Sequence, residues 1–600
     1  PAGSDPSGTG LPANLALDLV GRRADIVAAR LRAEAAGQRA SSPDTVLAML
    51  HARLEALPAE PRRVLRAASV FGETAWCDGV AGLLAAGESD GEQAGAQLAW
   101  LSEQEILQPR AEPRFPGERE YVFRHALLRE AAYAMLTEAD RKRAHLAAAE
   151  WLTARGERDA RVLADHFERG GALARALPFI VKAAMAALDG GDLASAIALS
   201  QRGLGLGAHG ESRGMLLLVR AYASVWGARR DFELPREALS LLPRASAPWW
   251  LALSIHVFGS SLLGQPDLAE PYLEIALGTS PGVELSAAYG QAIQTLAVGS
   301  SLVGRPAIGW ALVRHCEQTP HDAEALLDPA FLAWLHLTKC VLSCNARDER
   351  GRWALGDATH YGRASVEAMR VLGSRLGEAT ALFHFGNALW IAGGYAQASG
   401  TLQESLSVAK ETGYLLVEQH ASLLLAVGAL RGGARADAEA TLHALARVHN
   451  SQIAHGAETV LADACFRDGR IDEALARARA CVAGPSLLYR RMAQSILARA
   501  HLARGEPDDA LEAVARAFAD GGPAAFPHLA LDLLGSRARA HQGRGDHQEA
   551  ARTVQAALAQ REETARTLKD PELRRGFVSR GPANKLLDAL AGRVAEPPTS

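Results

Sequence analysis

His336, Cys340 and Cys344 recur at intervals of four, so on a helix all three fall along one face. An imidazole and two thiols are soft ligands that suit zinc. Structural zinc, however, takes four ligands, commonly from paired loop cysteines, and an unliganded cysteine packs between helices as a small hydrophobe. Packing is the stronger reading: no metal site is expected, and these three are the candidates a metal would use. Trp249 and Trp250, after Pro248, offer either an exposed docking patch or, more commonly, a pair packed between neighbouring helices. Arg141–Lys142–Arg143 reads as a solvated face. The chain holds no Gly–Lys dipeptide, so no Walker loop to cradle a triphosphate. It holds no His–Arg–Asp or Asp–Phe–Gly triplet, so no kinase catalytic loop. Catalytic residues and a resident cofactor are therefore not expected.

The elements that would position such side chains are written in alanine. Ala398, Ala438, Ala474, Ala510 and Ala550 lie 36 or 40 residues apart. Each follows a small residue by twelve (Gly386, Ala426, Ala462, Ala498, Ala538) and precedes further packing positions by four and seven. Fixed offsets within a unit, with slack only between units, mark a helix–turn–helix solenoid. Small residues at paired positions let two antiparallel helices approach closely. The same template runs back through Ala297 and Gly309, Val257 and Ala269, Ala184 and Ala196, and Ala164 and Ala176. Residues 210–250 and 325–375 fit it poorly, and a loop is predicted over 345–356.

Composition agrees with an all-α chain. Alanine and leucine dominate 600 residues and aromatics reach only 6%, which favours helix. The net charge of −4 advertises no nucleic-acid surface. Six sparse cysteines form no disulfide framework, which fits a reducing cytoplasm. No apolar run is long enough to span a membrane. The chain opens on Pro1 rather than methionine, as a piece of something longer would.

Residues 1–41 read as a disordered or divergent lead-in, with a helix over 15–40. A winged-helix domain is expected over 42–125. Ser42–Pro43–Asp44 starts its first helix, and further helices are predicted over 61–70, 78–86 and 92–103. Two short strands, 105–110 and 120–123, flank a Pro/Gly turn and make a two-stranded wing. The helix over 92–103 would be the DNA reader, but it carries four acids or amides and no basic residue, which a phosphate backbone would repel. A tetratricopeptide-like superhelix follows over 126–568, bringing the total to 22–26 helices at this repeat length. Asp570–Pro571 opens a capping helix and tail over 569–600.

Three segments, Thr45–Leu57, Val64–Gly72 and above all Tyr121–Tyr133, resemble one bacterial family. These are the STAND-class signalling ATPases, often fused behind a serine/threonine protein kinase or an adenylate cyclase. The ending Asp570–Phe577 is similar to theirs too. The resemblance implies an ATPase module, binding ATP or ADP, that lies outside this chain and precedes a winged helix and a long sensor array. It implies that His125, with Arg124 beside it, contacts the nucleotide's phosphate, at a helix start where free N–H groups already favour an anion. Packing or capping is the plainer role for that histidine. The function implied is a non-catalytic sensor that couples a protein or small ligand on the array to a nucleotide switch. The alternatives are a fragment of a serine/threonine kinase with its catalytic modules upstream, or the sensor arm of a transcription regulator. The last normally ends in a basic helix-turn-helix, and residues 576–600 contain none.

Overall fold

The computed structural model describes residues 50–595, apart from 85–90, 227–232, 281–285, 319–327, 346, 348–351, 433, 449–450, 520–526 and 580–581. The expectations for residues 1–49 lie outside it, as do residues 346 and 348–351 of the predicted 345–356 loop. The chain divides into two compact units, to Phe179 and from Ile180.

The first unit begins with three helices and three short strands. Helix α1 (Ala59–Val70) leads into strand β1 (Thr74–Trp76), then α2 (Cys77–Leu84), α3 (Gly91–Glu103), β2 (Leu107–Pro109) and β3 (Glu120–Phe123). The sheet has three antiparallel strands in the order β1-β3-β2: β2 and β3 are the two expected strands, and β1 adds a third. Trp76 pairs with Glu120 on one side of β3, and Leu107 with Phe123 on the other. Three residues are too few to display a period of two, so β1 leaves no alternation to read. Helices α4 (Ala126–Ala134), α5 (Glu138–Ala154) and α6 (Ala160–Arg169) belong to the same compact unit. Trp151 of α5 stacks on Trp76 with ring centroids 5.5 Å apart, and Phe71 and Phe115 meet it edge-on at 5.6 Å.

Glu120 is buried within that aromatic cluster and still ionised. Burial opposes its charge, but the Arg114 N–H donates to it at 2.6 Å, Arg110 at 2.9 Å and the Trp76 indole at 2.9 Å. Together these hold its carboxyl below the usual range.

The second unit is an array of helix pairs. Among the described residues its elements run from Leu193–Gly205 to Pro582–Ala595, including Gly210–Trp226, Glu233–Leu241, Pro329–Asn345 and Leu355–Val371, where the template fits poorly. Ala398, Ala474 and Ala510 are wholly buried, as are the leading Ala462, Ala498 and Ala538. At Gly386, one added methyl would stand 2.8 Å from Leu402, so the crossing tolerates nothing larger without movement. The alanine register is thus the helix–helix seam.

A second register accompanies it. Gly191, Gly264, Gly304, Gly393, Gly469, Gly505 and Gly545 each stand seven residues after the leading residue of a unit, with φ between 67° and 83°. Each ends the first helix of a pair. At Gly505 the next N–H, of Glu506, returns to the His501 carbonyl at 2.9 Å, the bond that closes a Schellman turn. A methyl on Gly505 would touch nothing within 4 Å, so substitution there strains only the backbone. Gly505→Ala is expected to lower stability by about 1–2 kcal/mol in urea unfolding, and Gly505→Asn by less.

Contacts between distant turns fold the array back on itself. A methyl on Gly264 would collide with the Pro485 carbonyl, and one on Gly393 with the backbone of Gly576. The Gly356 N–H donates to Thr567 Oγ1 at 3.3 Å. Asp570 caps the helix Pro571–Ser579, accepting from the N–H groups of Glu572 at 2.7 Å and Leu573 at 3.3 Å. That helix packs Leu573 and Phe577 into a core with Leu389, Ile391 and Ala398 from mid-array. Pro582–Ala595 then covers the last repeat, so the end is two helices with separate roles.

Candidate functional site

Two cavities line the inner side of the array, and both are built almost wholly from the first helices of the pairs. The first has a cavity volume of about 180 Å³ and is open at its mouth. Its walls alternate apolar and uncharged polar groups: Phe383, Leu424 and Val298 beside Asn387, His420 and Gln452. The Asn345 side-chain oxygen there is buried with no hydrogen-bond partner. His420 donates from Nδ1 to the Leu416 carbonyl at 2.8 Å. Burial lowers the pKa of His420, and burial with His420 nearby pushes His384 down to about 3. Both rings are therefore neutral, and the cavity is polar without charge.

The second cavity follows one to two turns further along the same helices. Asn387 gives way to Trp390 and Ile391, Leu424 to Gly428 and Arg431, and Leu488 to Met492 and Ser495. Offsets of three, four and seven keep these residues on continuous faces. This region is cationic. Asp463 accepts from Arg467 at 2.7 Å and Arg499 at 2.8 Å, and Arg499 lies 3.4 Å from Asp532. Burial works against the Asp463 charge, but the two guanidiniums lower its pKa overall. Arg431 acts on Asp463 at longer range. Its guanidinium lies over Trp390 at 5.1 Å and Tyr395 at 5.7 Å, and among the described residues no carboxylate reaches it within salt-bridge range. Its side chain is exposed, yet the groove walls thin its hydration and Arg467 repels it, so its pKa is lowered. Lys585, from the last helix, lines the same space.

None of the residues singled out from sequence lines these cavities. Trp249 and Trp250 lie in Ala247–Leu262, a helix buried continuously from Trp249 to Ser261, so they form no exposed patch. Trp250 meets Trp249 and Tyr289 edge-on instead. Cys340 and Cys344 belong to the buried core, and the Cys340 thiol donates to the His384 carbonyl at 3.8 Å. Contact with Cys344 and burial raise its pKa well above the usual thiol value. His336 instead stacks on Tyr361 at 5.6 Å, so the structure does not bring the three into one ligand set. His125 opens α4 in an extended conformation with an exposed ring that makes no capping bond. Arg124 beside it pairs with Glu105 at 3.5 Å.

One further cluster, His501 with Glu506 and Asp509, could by spacing hold an ion. His501 Nδ1 lies 2.6 Å from Glu506, and His541 lies 3.3 Å from Asp546 one repeat later. The recurrence identifies a turn-stapling pair built into the repeat. Sequence reasoning missed the groove, although Arg431 and Arg467 both stand five residues after the leading alanine of their units. That repetition of a charge within a packing template was the available signal.

No family model and no curated protein matches the sequence. Solved structures do. A Rap protein complexed with competence and sporulation factor aligns over 65% of this chain and 99% of its own, at 12% identity and a TM-score of 0.35. The Cut9-Hcn1 hetero-tetramer of APC/C covers 76% and 93%, at 14% identity and 0.37. A STAND protein with a tetratricopeptide repeat sensor from Pyrococcus horikoshii covers 87% and 66%, at 15% identity and 0.25. At such scores these likenesses carry no argument, and the account of the array rests on its own helix pairs. Among the described residues no helix is long and apolar enough to cross a membrane.

Proposed function

We propose that this chain is the sensing and interaction arm of a larger signalling protein, with its inner groove as the receiving surface for a peptide segment of a partner. One observation carries the reading: the first cavity intersperses amides and neutral imidazoles among apolar walls. Peptide backbone presents a donor and an acceptor at every residue, with side chains between them, and such walls satisfy both. An acyl chain would leave the buried Asn345 side-chain oxygen unpaired. From residue 420 to 431 the groove runs about 16 Å along one helix at 1.5 Å per residue. An extended peptide covers that length with about five residues.

Selection of displayed heptapeptides on the whole chain tests the reading. A counter-selection uses Leu424→Trp, which fills the first cavity. Enriched peptides that ignore the filled variant, or no enrichment at all, would sink it.

The sequence resemblance extends the proposal to coupling. Occupancy of the array alters an ATP- or ADP-binding module elsewhere in the protein, through the first unit. The exposed pair Arg124 and His125 is suited to meet the nucleotide's phosphate. His125→Ala in the longer protein is expected to speed release of bound ADP, measured by dilution of a fluorescent analogue, whereas an unchanged rate assigns His125 to the helix cap alone.

A further inference from the structure

We propose that residues 482–486, the loop before the helix Leu487–Ala503, form a movable wall of the first cavity, latched shut by His455. The proposal concerns how that cavity admits a ligand and holds whether or not the ligand is a peptide. At about 180 Å³ the latched cavity falls below the roughly 300–1,000 Å³ of sites that enclose a drug-sized molecule, so filling it calls for a wall that gives.

The wall is a seam between distant parts of the array. Leu488 and Tyr489, at the start of Leu487–Ala503, line the cavity together with Phe258, Leu262, Val298 and Leu302. Beside that lining the Pro485 carbonyl lies against Gly264, and Leu487 would stand 3.0 Å from a methyl on Gly304. Those two glycines end the helices that carry Phe258, Leu262, Val298 and Leu302. The loop therefore sets how near Leu488 and Tyr489 come to these four residues.

His455 holds the loop at both ends. Its ring is buried; Nε2 donates to the Cys481 carbonyl at 2.7 Å, and Nδ1 accepts from the Ser486 N–H at 3.3 Å. Gly484, between them, packs on the ring so closely that an added methyl would overlap it. Latching leaves Ser486 unsatisfied. It stands at the N-cap of Leu487–Ala503 in an extended conformation, yet its side chain makes no capping bond and its buried Oγ has no partner. Serine in that place normally accepts from an N–H of the first helical turn. A loop released from His455 recovers that bond, which gives the wall a second state.

Protonation works the same latch. A proton added at Nδ1 turns the acceptor into a donor that faces the Ser486 N–H. Burial, with Arg490 adding to it and the bond to the Cys481 carbonyl opposing, lowers the pKa of His455. The other titratable neighbours stay silent: burial keeps the Cys481 thiol and the Tyr489 hydroxyl neutral, and Glu458 on the same helix pairs with Arg477 at 2.9 Å. The latched ring refuses a proton that the released ring takes up near 6.5, so acidification below that pH favours release.

Cys481, buried beside the latch, reports release in the full chain. Bromobimane labelling, resolved by peptide mass spectrometry, compares it with buried Cys465 further along the His455 helix. His455→Leu is expected to raise the ratio of Cys481 to Cys465 labelling at least tenfold. A shift from pH 7.5 to 5.5 should raise it up to about tenfold in the native chain and leave the variant unchanged. Ser486→Ala removes a bond that only the released loop makes, so it should lower the ratio about fivefold. In deuterium exchange of His455→Leu, residues 258–264 and 298–304 should quicken together with 484–490. An unchanged ratio in His455→Leu and at pH 5.5 overturns the latch. Labelling in Ser486→Ala as fast as in the native chain, or faster, overturns the second state. Faster exchange in 484–490 alone overturns the wall, since the loop then moves without opening the cavity. If His455→Leu fails to fold, both cysteines label together, and the pH and Ser486→Ala measurements decide.

Discussion

Acidification from pH 7 to pH 4.5 is expected to unfold the first unit far more readily than substitution of two histidines would. His145 and His166 are buried side by side, their Nδ1 atoms 3.0 Å apart, with Tyr133 Oη 2.8 Å from His145 Nε2. The distances describe one chain: the Tyr133 hydroxyl donates to His145, whose other nitrogen donates to His166. A proton added to one ring reorients this chain, and protons on both set the two facing Nδ1–H groups against each other. Burial, followed by His166, Arg169 and Arg141, pushes His145 down to about 3. Burial and Arg169, partly offset by Asp165, push His166 down to about 4. Unfolded, both rings titrate near 6.5. Above that pH neither state binds the protons and the pair has no pH effect. Between 6.5 and about 4 the unfolded chain binds protons that the folded unit refuses, so stability falls as pH falls. The slope approaches about 1.4 kcal/mol per pH unit for each ring. Urea unfolding at pH 7.5, 6, 5 and 4.5, compared between the native chain and His145→Gln/His166→Gln, measures it. The double variant should be weaker at pH 7.5 and lose less on acidification. Parallel pH dependence in the two proteins would refute the assignment.

Trp151 is half-buried, so Trp151→Ala should cost about 3 kcal/mol, the lower end of the range for deleting a large core aromatic. Trp151 is more than filler. Its ring meets Phe71 at the end of α1, Trp76 from β1 and Phe115 from the turn before β3, and Arg155 lies over it at 5.4 Å. Removing it detaches α5 from the sheet and the first helix at once. Trp151→Phe, which retains part of the contact, should cost less than half as much. Thermal unfolding followed by circular dichroism distinguishes these outcomes, and equal losses for the two variants would mean that the indole's reach across three elements is not what matters.

How far the fold could be read in advance followed from range along the chain. The seam alanines were visible because the two helices of a pair are adjacent in sequence, and their crossing demands small side chains at fixed offsets. Helices α1 to α3 were expected over 61–70, 78–86 and 92–103, close to where they lie. Trp249 and Trp250 could not be oriented, because Ala247–Leu262 is buried on all sides and has no polar face to set against an apolar one. The groove was hidden for a different reason. Arg431 and Lys585 meet only because the array folds back, and nothing local to either residue records that approach.

That fold-back changes how the second unit should come apart. An open solenoid melts as a row of neighbours, each repeat depending on the two beside it. Here Phe577 and Leu573 sit against Ile391 and Leu389, and Thr567 against Gly356, so the last residues are structural neighbours of the middle ones. The unit is knit across its length, and its ends cannot fray independently of its centre. Losing the final helices would open the middle of the array together with the wall of the groove, and that makes the tail a keystone.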